Sequence, residues 1–214
     1  TAGEISLMVS ASAVTATLTT ILIGALSDKI GKRKLFICGG YVIWGISILS
    51  FALVRTDVIG VLFPSVTSAA AVGVSLTIIL DCVMTFFGSS ANDACFNAWL
   101  TDATDDTNRG LAEGLNSMMP LVAILAVFGG FMGVSQDTVE GWTLIFSVIG
   151  AVVTLLGIAG FFLIEDHVVT REENKNFFGN IFYGFRPGVI RKNISLYGTL
   201  ILLALFNISI QIFM

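Results

Sequence analysis

Consecutive apolar runs, each long enough to cross a bilayer, constrain this chain more than any other feature. Residues 39–54, 111–134 and 142–164 each carry at most one ionisable group. Each run is about as long as the stretch needed to span a hydrocarbon core. No water in lipid can satisfy a backbone N–H or C=O, so such runs must become helices or close into a barrel. The period-two alternation of a barrel strand is absent. Only 12% of the chain is charged, against about a quarter in soluble domains, too little to coat a soluble surface. The expected fold class is all-α, a polytopic membrane helix bundle.

Six spans are expected, over residues 5–27, 35–54, 72–100, 111–134, 142–164 and 195–214. Residues 55–71 contain Pro64 and are too weakly polar for an ordinary loop, which suggests a short interfacial helix before the third span. Pro120 is expected to kink the fourth span or mark its first turns. Gly129 and Gly133 form a GxxxG pair, expected to let a neighbouring helix approach closely. Cys38, Cys82 and Cys95 have neither metal-ligand nor disulfide spacing and are read as free packing thiols. The chain opens on Thr1 and stops within an apolar run, and is read as a piece of a longer protein with no signal peptide.

With six alternating spans, Lys29, Lys32, Arg33, Lys34, Arg109, Arg171, Lys175, Arg186, Arg191 and Lys192 fall on one side, and only Arg55 on the other. The positive-inside rule places loops 28–34, 101–110 and 165–193 in the cytoplasm. The last of these mixes both charges with Phe177, Phe178, Phe182, Tyr183 and Phe185, as an amphipathic linker on the membrane surface would. His167 lies in it and is read as a solvated loop residue. No basic patch with interleaved aromatics is present, which argues against nucleic acid as a partner.

The first of these loops reads Gly24-Ala-Leu26-Ser27-Asp28-Lys29-Ile-Gly31-Lys32-Arg33-Lys34. It resembles the signature between helices 2 and 3 of the major facilitator superfamily at every specified position. Gly24 is expected to allow close helix approach, and Gly31 a tight turn with positive φ. Asp28 at a helix end is placed to pair with basic residues or with the positive end of another helix. The resemblance implies that this loop latches two six-helix halves together on the cytoplasmic side. It also implies that the six spans correspond to family helices 2 to 7. Residues 1–164 then form the N-terminal half without helix 1, 165–193 the linker between halves, and 194–214 the start of the second half. The implied protein is a cell-membrane secondary transporter acting as a monomer, with a small-molecule substrate and membrane lipid as partners.

The third span is unusually polar. It contains Asp81, Ser89, Asn92, Asp93 and Asn97, and ends at Asp102. Nine residues separate Asp93 from Asp102, roughly 13–14 Å at about 1.5 Å per residue, which sets Asp93 near the midplane. By the same rise Asp81 lies near the outer interface. A carboxylate at mid-depth costs about 2.5–3.5 kcal/mol on insertion scales, and no Lys or Arg lies at matching depth. A cation or proton is its natural partner; a permanently protonated acid, or a pair with residues outside the chain, is the alternative. Ser89, Asp93 and Asn97 at i, i+4 and i+8 are expected to share a face, with Asn92 widening the polar arc, and to bind a cation or a sugar hydroxyl.

Asp93-Ala-Cys-Phe96-Asn97-Ala-Trp99, then Thr101-Asp102-Ala-Thr104-Asp105-Asp106 and Arg109-Gly110, resemble helix 4 and the following loop of the glycoside–pentoside–hexuronide:cation symporters. The resemblance implies sugar transport coupled to a cation, with Asp93 binding both in the melibiose permease-like members. That group carries an Asp pair on helix 2, whereas the first span here carries Ser6, Ser10, Ala13, Thr17, Thr20 and Gly24 on one stripe. The coupling ion thus stays open between sodium and proton, and the stripe between cavity lining and close packing. By the same resemblance, Asp102 or Asp106 is expected to bridge to Arg33 or Lys29, with Arg109 nearby. No cofactor or metal site is expected. An exporter of drugs or metabolites from another branch is the alternative. A prenyltransferase is weaker, because position 96 is Phe where its Asp-rich loop needs Asp and no second such loop exists. A non-transporting scaffold would need neither the signature nor a mid-depth acid. The chain is therefore not expected to be an enzyme.

Overall fold

A computed structural model describes residues 2–64, 68–165 and 183–213. It separates into two compact units, Thr1–Arg171 and Glu172–Met214. The described part of the first unit is helical throughout: α1 (Ala2–Ile30), α2 (Arg33–Phe51), α3 (Thr56–Leu62), α4 (Ala69–Gly88), a π-helical segment (Ser89–Phe96), α5 (Asn97–Ala103), α6 (Arg109–Gly130) and α7 (Val139–Leu163). Among the described residues, five stretches are long and apolar enough to cross a membrane: Gly3–Ile30, Arg33–Phe51, Ala69–Ala103, Arg109–Gly130 and Val139–Leu163. They match the first five expected spans. Large apolar side chains lie on the outside, with Phe162 85% and Leu111 72% exposed, the reverse of a water-soluble chain. The expected interfacial helix is present as α3.

Local chemistry explains the ends of these helices. α1 stops where Gly31 takes φ 69° and its N–H donates to Ser27 O at 2.8 Å, a left-handed cap that glycine adopts without steric cost. α4 begins where Ser68 Oγ accepts from Ala71 N at 3.3 Å, and α7 where Thr138 Oγ1 accepts from Gly141 N at 3.1 Å. Each satisfies one of the orphan N–H groups of a first turn.

The tightest packing joins α2 to α7. A Cβ built at Gly45 would stand 2.2 Å from Thr154 Oγ1 and 2.5 Å from Thr154 N. One at Gly150 would meet Leu49 N at 2.8 Å, and one at Gly157 would meet Val42 N at 2.7 Å. Backbones approach this closely only over glycine, which is how helices gain contact in lipid. The GxxxG expectation fails. Among the described residues, a Cβ built at Gly129 or Gly133 would have nothing within 4 Å, Gly133 lies beyond the end of α6, and α6 buries none of its residues. Pro120 is internal to α6, well past its first turns.

In the second unit, a 3-10 turn (Tyr183–Phe185) precedes α8 (Pro187–Lys192) and α9 (Ile194–Phe213). Pro187 opens α8, where its missing N–H has no intrahelical role. Tyr197 Oη donates to Gly184 O at 2.5 Å and ties α9 to the turn. α9 covers the sixth expected span. His167, Arg171, Lys175, Phe177, Phe178 and Phe182 of the expected linker lie outside the described residues.

Candidate functional site

Two polar clusters lie on the first unit. One sits at the end where α1 turns into α2. Arg33 is 8% exposed, and its Nη2 donates to Asp28 Oδ1 at 2.9 Å. Its Nε lies 3.0 Å from Asp102 Oδ2, at the far end of α5. One guanidinium thus bridges two helix ends that are distant in sequence, a task its planar fork suits better than a lysine ammonium. Arg33 Nε and Nη1 are both buried without a hydrogen-bond partner among the described residues, so the Asp102 contact is an ion pair by distance and not an aligned hydrogen bond.

The other signature residues are placed differently. Lys29 and Lys32 are exposed and Lys34 is half-buried. A Cβ at Gly24 would stand 3.9 Å from Ala94 Cβ, ordinary contact, so the approach there does not depend on glycine. Asp106 has no ion-pair partner among the described residues and is exposed. Arg109 does not join Arg33. Its Nη2 donates to Thr101 O and Thr104 O, both at 3.1 Å, neutralising the carbonyl end of α5. In the loop between them, Asp105 Oδ1 accepts from Thr107 N at 2.8 Å and from Thr107 Oγ1 at 2.5 Å. These bonds hold the Asp105 carboxyl below its ordinary range. Trp99 Nε1 donates to Glu165 O at 3.1 Å, so residue 165 reaches this same end. Arg55 lies between α2 and α3 and pairs with Asp57 at 3.1 Å; that hydrogen bond lowers the Asp57 carboxyl.

The second cluster lies along the polar span. Ser89 to Phe96 bond i→i+5, a geometry that is rare and often marks functional sites. The expectation that Ser89, Asp93 and Asn97 line one exposed face fails. Ser89 is 6% exposed, like Ser90 at 5%, whereas Asp93 and Asn97 are exposed. Ser89 and Ser90 are buried where α1 and α2 both pack on this segment. The wider π turns place more residues in each turn, so Asp93 lies somewhat nearer Asp102 than a continuous α-helix would set it.

What gathers around Asp93 instead is a chain of amides. Asn92 Nδ2 donates to Asp93 Oδ1 at 3.2 Å. Tyr41 Oη, from α2, donates to Asn92 Oδ1 at 3.2 Å. Asn97 Nδ2 donates to Asp93 O at 3.2 Å, and Asn116 Nδ2, from α6, donates to Asn97 Oδ1 at 3.3 Å. Asp93 has no ion-pair partner among the described residues. A family model described as Major Facilitator Superfamily matches the chain over residues 1–214.

The chain belongs to the major facilitator superfamily. No curated protein and no solved structure matches it. Membership makes secondary transport the class of activity and a multi-pass membrane protein the setting. For a facilitator chain the informative side chains are polar ones deep in spans, and two of those were missed in the sequence. Tyr41 stands in an apolar run, a signal that was available, whereas Asn116 sits between Glu113 and Ser117 near the start of its span. Of the hydroxyl stripe on α1, Ser6, Ser10, Ala13 and Thr17 are exposed, so within this unit it is not a packing face. Thr17 and Thr20 donate to Ala13 O and Ala16 O.

Proposed function

We propose that the chain is a secondary active transporter of a small solute, a sugar or glycoside, driven by cation- or proton-coupled alternating access. Asp93 is the residue at which solute and coupling ion meet. The observation that carries this reading is the exposed Asp93 carboxylate, deep in a span, bonded to an amide and paired with no cation among the described residues. Such a group is kept in lipid only where a cavity or partner receives it. Asn92, Asn97, Tyr41 and Asn116 supply neutral donors and acceptors beside it, the kind that match sugar hydroxyls. In this reading α1 to α7 are family helices 2 to 6 and α9 is helix 7. The Arg33 bridge end faces the cytoplasm, in keeping with its basic residues. Asp28, Arg33 and Asp102, all within the N-terminal half, form part of the opening switch at this end, beside the loop that latches the halves.

The test is uptake of labelled glycosides by vesicles containing the complete transporter, under imposed sodium or proton gradients. Accumulation driven by either gradient supports the reading and names the ion. Accumulation of lipophilic drugs with no glycoside uptake would favour the exporter instead.

A further inference from the structure

The second unit carries a cluster of cations that the reading of Asp93 does not use. Arg186, Arg191 and Lys192 lie close together in sequence, and residues 183–214 hold no Asp or Glu. None of the three makes an ion pair among the described residues. Positive charge is therefore gathered here without an internal counter-charge.

Two of the cations line one cavity. Arg186 and Lys192 border a space of about 490 Å³ with Tyr183, Gly188, Val189 and Asn193. The Arg186 guanidinium carbon stands 5.7 Å from the Tyr183 ring centroid, close enough for the negative ring face to hold it. That attraction uses no N–H, so the planar fork keeps its donors for a bidentate acceptor. Lys192 adds an ammonium, which can only donate. Asn193 Nδ2 gives one hydrogen to Val189 O at 3.1 Å and keeps the other. A lining so rich in donors selects an anion with several acceptor oxygens.

The fold sets this cavity at a lipid surface. α9 begins at Ile194, directly after Lys192 and Asn193, and runs 20 residues without an acidic or basic side chain. Such a helix rises roughly 30 Å, a full hydrocarbon core. With α9 across the bilayer, Ile194 lies at the hydrocarbon boundary and the cavity at headgroup depth. Tyr197 Oη, donating to Gly184 O, ties the Tyr183–Phe185 turn to the start of α9 and keeps the cavity there.

We infer that this cavity binds the phosphate group of an anionic glycerophospholipid. Arg186 takes two phosphate oxygens through its fork, and Lys192 supplies the second positive charge. A zwitterionic lipid brings its own ammonium to unpaired cations and binds less well. The site rests on α9 crossing the bilayer, and on neither Asp93 nor the solute.

Native mass spectrometry of the complete transporter, released from vesicles of equal phosphatidylcholine and phosphatidylglycerol, tests this. Wild type should retain phosphatidylglycerol in preference to phosphatidylcholine. Arg186→Gln combined with Lys192→Gln should weaken retention of one phosphatidylglycerol by roughly fivefold for each cation removed. Arg191→Gln, outside the cavity, should weaken it less than Arg186→Gln alone. Unchanged retention in the double variant would overturn the site, and equal losses from Arg191→Gln and Arg186→Gln would overturn it in favour of diffuse surface charge. Displacement of the lipid by inorganic phosphate at constant ionic strength would overturn it in favour of a soluble anion. Should the double variant fail to insert, Arg186→Lys decides alone, because it keeps the charge and loses the fork: weaker retention supports the site and unchanged retention refutes it. Lipid retention is read without solute uptake, so this site and the transport reading fail separately.

Discussion

Asp102→Asn should destabilise the protein more than Asp28→Asn, although both remove a carboxylate that touches Arg33. The difference follows from burial. The Arg33 side chain is 9% exposed; Asp102 is 29% exposed and Asp28 61%. Water already screens Asp28, so its pair contributes about 0–1 kcal/mol, as exposed pairs do. The Asp102 side chain is the more covered of the two, although the residue as a whole is exposed, and neutralising it leaves a buried guanidinium with only its more exposed partner. Breaking a fully buried pair costs about 3–5 kcal/mol; with Asp28 still bound at 2.9 Å, about 1–3 kcal/mol is expected. At roughly 2–4 °C per kcal/mol for a chain of this size, Asp102→Asn should lower Tm by about 2–12 °C and Asp28→Asn by at most ~4 °C. Tryptophan fluorescence melts in detergent read both. Arg33→Lys should resemble Asp102→Asn, because an ammonium cannot span both carboxylates in the fork's geometry. Equal shifts, or a larger loss from Asp28→Asn, would refute the assignment of Asp102 as the less exposed and stronger partner.

Gly45→Ala should cost about 1–3 kcal/mol or more by forcing α2 from α7, since its Cβ would meet the Thr154 backbone N at 2.5 Å; Gly129→Ala, facing open space, should be neutral or stabilising in the same melts. Tyr41→Phe removes the hydroxyl on Asn92 and should weaken solute binding by about 1 kcal/mol, read as roughly a fivefold rise in KM with expression unchanged; an unaltered KM would exclude Tyr41 from the site. The Asp105 turn carries a pH signature. Its carboxyl is lowered from 3.8 when folded, so its stabilising bonds are fully present above 3.8 and lost as pH falls through the lower folded value. Amide protection at Thr107 should therefore stay level from neutral pH down to 3.8 and fall only below it; Asp105→Ala should remove it at every pH.

The spans were legible because charges bracket apolar runs, and lipid leaves such runs no alternative to helix. Helix ends ran a few residues past those runs, as α1 does, because Gly31 and not the hydrocarbon boundary stops it. α3 was legible from the weak polarity around Pro64. The π segment was not, because its i→i+5 bonding reflects the press of α1 and α2 on Ser89, Ser90 and Ala91, which no local pattern encodes. Ser89 was placed beside Asp93 and is instead enclosed because α1 and α2 pack on this segment, a tertiary contact that spacing does not encode. The GxxxG pair misled for a related reason: a small-residue pattern says that a helix can approach, not that one does. Gly150 and Gly157, a heptad apart on α7, carried the better signal. The Arg33–Asp102 contact was open between several pairs in sequence, and burial of one guanidinium between two helix ends selects among them.

The central claim is that Asp93 couples solute movement to an ion gradient. Vesicles containing wild-type or Asp93→Asn protein should be compared for gradient-driven accumulation of labelled solute. Wild type should accumulate it, and Asp93→Asn should insert normally yet show none. Accumulation by Asp93→Asn at the wild-type level would contradict the account.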